Sequence, residues 1–116
     1  MINKNAPLFA KQQMFARLLP VLINKAHELG YTVTLGDAYR DPRAFGQHGK
    51  KISYSSANSC HKLRLAIDLN LFKDGVLLKE TANHLPLGLW WESQGGTWGG
   101  RFDDGNHYSI EHNGSR

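Results

Sequence analysis

His61 and Asp68 lie seven positions apart in SCHKLRLAIDLNLF, and Asp104 and His107 lie three apart in DDGNHYSIEH. Two imidazoles and one carboxylate, His61, His107 and Asp68, with a fourth position left to water, form a catalytic zinc set rather than a closed structural one. Such an ion polarises a carbonyl and lowers the pKa of its bound water to about 7. A general base must then sit beside that water, and Asp104, across a tight turn from His107, is placed for it. Asp103, four residues from His107, is the competing base. By itself the His61–Asp68 spacing is a weak pattern, unlike HExxH. A strand aspartate is most often solvent-facing or hydrogen-bonded, and a lone histidine is more often structural than a ligand.

The elements that must position these groups follow from periodicity. Leu63, Leu65, Ile67, Leu69 and Leu71 alternate with Arg64, Ala66, Asp68, Asn70 and Phe72, which predicts a strand over 63–72 with one apolar face. A carboxylate in a covered strand costs several kcal/mol unless it meets a cation, a hydrogen-bond cluster or open solvent. Residues 8–29 carry apolar side chains three and four apart, from Leu8 through Phe15 and Leu22 to Leu29, closed by Gly30. They predict an amphipathic helix that Pro20 kinks or splits. Tyr31, Val33 and Leu35 alternate with threonines as a half-buried strand would, and Asp41-Pro42 opens a short helix through Phe45.

Residues 46–59 read as an exposed, mobile loop, expected to cover the substrate. Lys73-Asp74-Gly75 is a hairpin turn into Val76–Leu78, a helix is expected around Leu85 to Glu92, and HYSI as a strand. His48, His84 and His112 are read as surface or supporting groups, with His112 the nearest to the site. Trp90, Trp91 and Trp98 are read as core and cleft wall. Cys60 cannot be activated by His61, because adjacent residues in extended chain point apart.

The chain has 116 residues, the size of one domain over 1–116. One cysteine excludes an internal disulfide framework, and no run approaches the roughly 18–20 apolar residues of a membrane span. The formal charge of +4 and pI of about 9.4 suit an anionic partner. The basic residues are scattered without stacking aromatics, which argues against nucleic acid. A phosphate-rich envelope and a membrane surface are the other anionic partners that such a charge suits.

SCHKLRLAID resembles the SxHxxGxAxD signature of the zinc D-Ala-D-Ala carboxypeptidase family, which includes vancomycin-resistance peptidases and phage L-alanyl-D-glutamate endopeptidases. Ser59, His61, Ala66 and Asp68 match it in order and spacing. DGNHY resembles the family's second signature, in which the acid is the base and the histidine the third ligand. YRDP resembles its arginine-bearing segment. The resemblance implies Zn²⁺ on His61, Asp68 and His107, Asp104 as base, Arg40 as the group that binds and polarises substrate, and Ser59 at the substrate. Arg64 stands where the family keeps glycine, which leaves the turn into the strand to be explained.

The implied fold is α+β, a small mainly antiparallel sheet packed against helices and similar to hedgehog and D,D-peptidase domains. The implied activity is that of a phage-type endolysin, a zinc metallopeptidase cutting the L-Ala–D-Glu bond of the peptidoglycan stem peptide. The alternatives are a D-Ala-D-Ala carboxypeptidase or a non-catalytic zinc-binding module. A start without a signal-peptide pattern leads to the expectation of a protein made in the host cytoplasm and not inserted in membrane; the resemblance implies that it reaches the cell wall after holin-type release, and a monomer is expected.

Overall fold

The computed structural model describes residues 2–49 and 59–116. The N-terminal periodicity folds as α1 (Leu8–Glu28), which buries Lys11, Phe15, Leu22 and Ala26. Pro20 does not split the helix, which runs through it. Pro20 removes one donor to the Ala16 carbonyl, but both residues are exposed, so water can satisfy that oxygen. Gly30, at φ 92°, ends the helix by donating to His27 O while Tyr31 donates to Ala26 O. Buried Lys11 escapes the apolar pattern because its Nζ donates to Glu111 O at 2.9 Å and lies 3.2 Å from His112 Nδ1.

The strands are β1 (Thr32–Leu35), β2 (Ala66–Lys73), β3 (Val76–Leu77), β4 (Thr97–Trp98) and β5 (His107–Ser109). They form an antiparallel sheet in the order β1-β2-β5-β4, with β3 also on β2. With α2 (Pro42–Phe45) and α3 (Leu85–Ser93), this is the expected α+β architecture. Asp74 and Gly75, at φ 52° and 77°, make the tight β2–β3 turn. Phe15 of α1 meets Trp91 of α3 edge-on at 6.2 Å, and Ile67, Leu69 and Leu71 of β2 are buried in the same core.

Two strand expectations need correction. The ladder begins at Ala66 rather than Leu63, because Cys60–Leu63 winds into a 3-10 turn and Arg64 takes a left-handed conformation, φ 58°. That conformation is why a glycine suits the position. Arg64 is held there with its guanidinium 4.0 Å above the Tyr39 ring. Leu35, expected on the half-buried face, is 64% exposed at the end of an edge strand. The proposed covering loop 46–59 falls largely on residues 50–58, outside the described residues.

Candidate metal centre

β2 and β5 pair so that Asp68 lies directly opposite His107. The 3-10 turn brings His61 over the same spot, because the Ser59 hydroxyl caps it by accepting from the His61 N–H at 3.2 Å. Asp68 is fixed from the other side: its carbonyl accepts from Gly36 N and its N–H donates to Asp37 O, both 2.8 Å. His61 Nε2, Asp68 Oδ1 and His107 Nδ1 then lie 3.1, 3.2 and 3.6 Å from one another. A tetrahedral ion with ligand bonds of about 2.0–2.1 Å separates its donors by about 3.3–3.4 Å. The donor triangle therefore fits such an ion without rearrangement.

Electrostatics lead to the same fit. His61 Nδ1 donates to Ala38 O at 2.7 Å, which fixes the ring with Nε2 turned toward the Asp68 carboxylate. Acceptors this close need a shared cation or shared protons. Burial pushes the Asp68 carboxyl up, but hydrogen bonds from His107 and His61 outweigh it and hold the group below the usual carboxylate range. His107 has no such carbonyl behind it, and its Nε2 is buried without a partner among the described residues. Its ring is set by packing, edge-on to His61 and Phe102 at centroid distances of 5.0 and 5.6 Å.

Asp104 opens the turn that carries His107. Its N–H donates to Gly99 O at 2.8 Å, its carbonyl accepts from His107 N at 3.0 Å, and its Oδ2 lies 3.9 Å from His107 Nδ1. The side chain is half exposed, and burial of the rest raises its pKa. Asp103 takes a left-handed conformation at the end of the Gly99–Phe102 turn. Gly99 is indispensable to this geometry, since a Cβ there would sit 2.1 Å from Asp104 O and 2.7 Å from His107 Cβ. Gly99→Ala should push both residues out of place, costing about 1–3 kcal/mol of stability and lowering metal content, as denaturant melts and metal analysis would read.

Arg40 lies against the cluster with its Nη2 3.8 Å from Asp68 Oδ2. Its Nε donates to Asp37 Oδ2 at 3.2 Å and its Nη1 to Ser59 Oγ at 3.3 Å. Ser59 is thus buried as a cap and as a partner of Arg40. His112 is held by Lys11 and Ser115 instead of joining the groups around Asp68, and His48 bonds Ser115 Oγ. Trp91 and Trp98 are buried, as read; the Trp98 indole donates to Gly105 O at 2.7 Å and so props the Asp104–His107 turn.

His84, read as a surface or supporting group, is of the second kind. It is 3% exposed, not a surface group, and its Nδ1 is 2.8 Å from Tyr108 Oη. Of its neighbours only Leu87 is buried, while Leu85 and Pro86 are exposed, so the local sequence carries no signal for its burial. Burial pushes its pKa down from 6.5 to about 4. A folded-state value below the unfolded one means stability that is full above pH 6.5 and is lost as the pH falls toward 4. At about 1.4 kcal/mol per pH unit the loss reaches about 3 kcal/mol. Denaturant melts of metal-free wild type and His84→Gln across this range should show the acid-induced loss shrinking in the variant.

A sheet-borne pair and a histidine from a capped turn form a three-donor cluster able to hold a metal ion, with the Asp104 carboxylate flanking it. A family model described as D-alanyl-D-alanine carboxypeptidase matches residues 53–110, half of the chain, and the chain belongs to that peptidase family. Comparison with curated proteins finds no match.

Proposed function

We propose that the chain is a zinc peptidase that hydrolyses the L-Ala–D-Glu bond of the peptidoglycan stem peptide. The observation that carries the reading is the three-donor triangle with Asp104 beside it. His61 Nε2, Asp68 Oδ1 and His107 Nδ1 would hold the ion, and the two-imidazole, one-carboxylate set suits zinc. A bound divalent ion supplies Lewis acidity to the scissile carbonyl and to the attacking water.

Asp104 takes the proton of that water on its carboxylate and returns it to the leaving amine nitrogen. Its raised pKa brings the group nearer the working pH for both transfers. Arg40, clamped by Asp37 and Ser59, offers positive charge toward the carbonyl oxygen as negative charge develops there. A cleft of about 330 Å³ runs from Asp104 past Thr81 to Lys79 and Asn70, giving the peptide a bed to one side of the metal centre.

The three motifs are common to the endopeptidase and carboxypeptidase branches of the family, so the scissile bond is the part of the proposal that the digestion below decides. The second reading, removal of terminal D-Ala, is favoured by the description of the matching family. Release by lysis machinery and action at the cell wall belong to the first reading. Among the described residues no helix is long and apolar enough to cross a membrane. Mass spectrometry of purified peptidoglycan digested with and without a chelator separates the two. New N-terminal D-Glu, lost on chelation, is expected; free D-Ala would replace the first reading by the second, and no cleavage would leave a metal-binding module.

A further inference from the structure

The cleft beside Asp104 has a floor that the hydrolytic chemistry above does not use. His84 lines it together with Thr81, Lys79 and Asn70. The ring is almost wholly buried, and its Nδ1 is taken by Tyr108 Oη at 2.8 Å. Tyr108 is fully buried next to His107, and His84 is the hydrogen-bond partner of its hydroxyl. A buried phenol hydrogen left without an acceptor costs about 1–3 kcal/mol. The arrangement that avoids this has Tyr108 O–H donating to His84 Nδ1, which places the ring hydrogen on Nε2. Burial disfavours the imidazolium as well, so the ring stays neutral at neutral pH.

We propose that His84 is a substrate-binding residue whose Nε2–H, held toward the cleft by Tyr108, donates to a carbonyl or carboxylate oxygen of the bound peptide. A neutral, pre-oriented donor suits this place. Lys79 already lines the cleft as a cation beside Asp103 and Asp104, and the neutral His84 ring adds a directed donor without a second positive charge. The proposal rests on the peptidase reading for the identity of the ligand, and its contribution is to binding rather than to proton transfer.

Two near-isosteric variants separate this role from a structural one. In His84→Asn the side-chain oxygen reproduces the Nδ1 acceptor for Tyr108 and the cleft donor is lost. In His84→Gln the amide N–H reproduces the Nε2 donor and the tyrosine's acceptor is lost. With the zinc-loaded full chain and a synthetic stem peptide, the Asn variant should raise KM about tenfold with kcat little changed, and the Gln variant should stay near wild type. The reverse order, or an equal loss in both, overturns the proposal.

Titrating the same peptide onto the Asp104→Ala protein, followed by tryptophan fluorescence with and without each His84 change, reads binding where hydrolysis is absent. It distinguishes failure of the donor role from failure of the peptidase assignment. Nitrogen NMR of the unmodified protein requires no folded variant: a protonated Nε2 that shifts on peptide addition supports the proposal, and a protonated Nδ1 overturns it.

Discussion

Replacing Asp104 by Ala is expected to leave the metal content unchanged and to lower peptide hydrolysis by about 10²–10⁴-fold. The three donor atoms come from the Cys60–Leu63 turn, β2 and β5, and none is supplied by Asp104. What Asp104 contributes to the backbone is an N–H to Gly99 O and a carbonyl to His107 N, and alanine keeps both. The carboxylate is the only group removed, half exposed and 3.9 Å from His107 Nδ1. Asp103→Ala provides the contrast: its side chain has no ion pair with His107 comparable to that of Asp104, and hydrolysis should stay within a few-fold of wild type. Metal analysis beside an assay on stem peptide reads both variants. Unchanged cleavage in Asp104→Ala would remove the base from the mechanism, whereas joint loss of metal and activity would make Asp104 a structural residue of the turn.

The second large effect is expected from Asp68→Asn, which should lower metal affinity by more than about 100-fold and abolish hydrolysis. Loss of a partner behind a ligand already costs about 10–100-fold, and here a charged ligand is itself replaced by a neutral amide of nearly the same shape. The metal-free protein should also be weakened, because the carboxylate gathers His61 Nε2 at 3.1 Å, His107 Nδ1 at 3.6 Å and Arg40 Nη2 at 3.8 Å. Hydrogen bonds to a charged group contribute about 1.5–3 kcal/mol each.

The sign with pH follows from the depressed carboxyl. Its stabilisation is complete above the ordinary aspartate value of 3.8 and is lost as the pH falls below that through the lower folded-state value. The stability gap between metal-free wild type and Asp68→Asn should therefore hold near neutrality and close in acid. Denaturant melts across that range test it, and a gap that widened on acidification would contradict the assigned role.

Much of the architecture was legible in residue order. The 3.6-residue spacing of Phe15, Leu22 and Ala26 specified α1, and the alternation of Ile67, Leu69 and Leu71 specified β2. Lys73-Asp74-Gly75 marked the hairpin. Where the reading failed, a local rule met a contact from elsewhere in the chain. Leu63 continues the ladder by parity, but the Ser59 cap winds the chain one turn tighter before it. Lys11 falls outside the apolar pattern and His84 allowed two readings; Glu111 O and Tyr108 Oη, 100 and 24 positions away, satisfy both inside. Pro20 offers a place to split the helix, but the bond it removes lies on the exposed side, where water can substitute.

Sequence by itself determined the chemical inventory and the local scaffolds: two histidines, two acids, an arginine beside an aspartate, and the strand that holds one of them. Only the tertiary structure decided that Asp68 and His107 face each other across a strand pair, that Ala38 O holds His61 with Nε2 turned inward, and that Gly99 leaves room for Asp104. The physical reason is range. Helical and strand periodicity arise from steric and hydrogen-bond rules within a few residues. A metal site closes on distances between strands, set by sheet register and by packing between residues that sequence order keeps tens of positions apart.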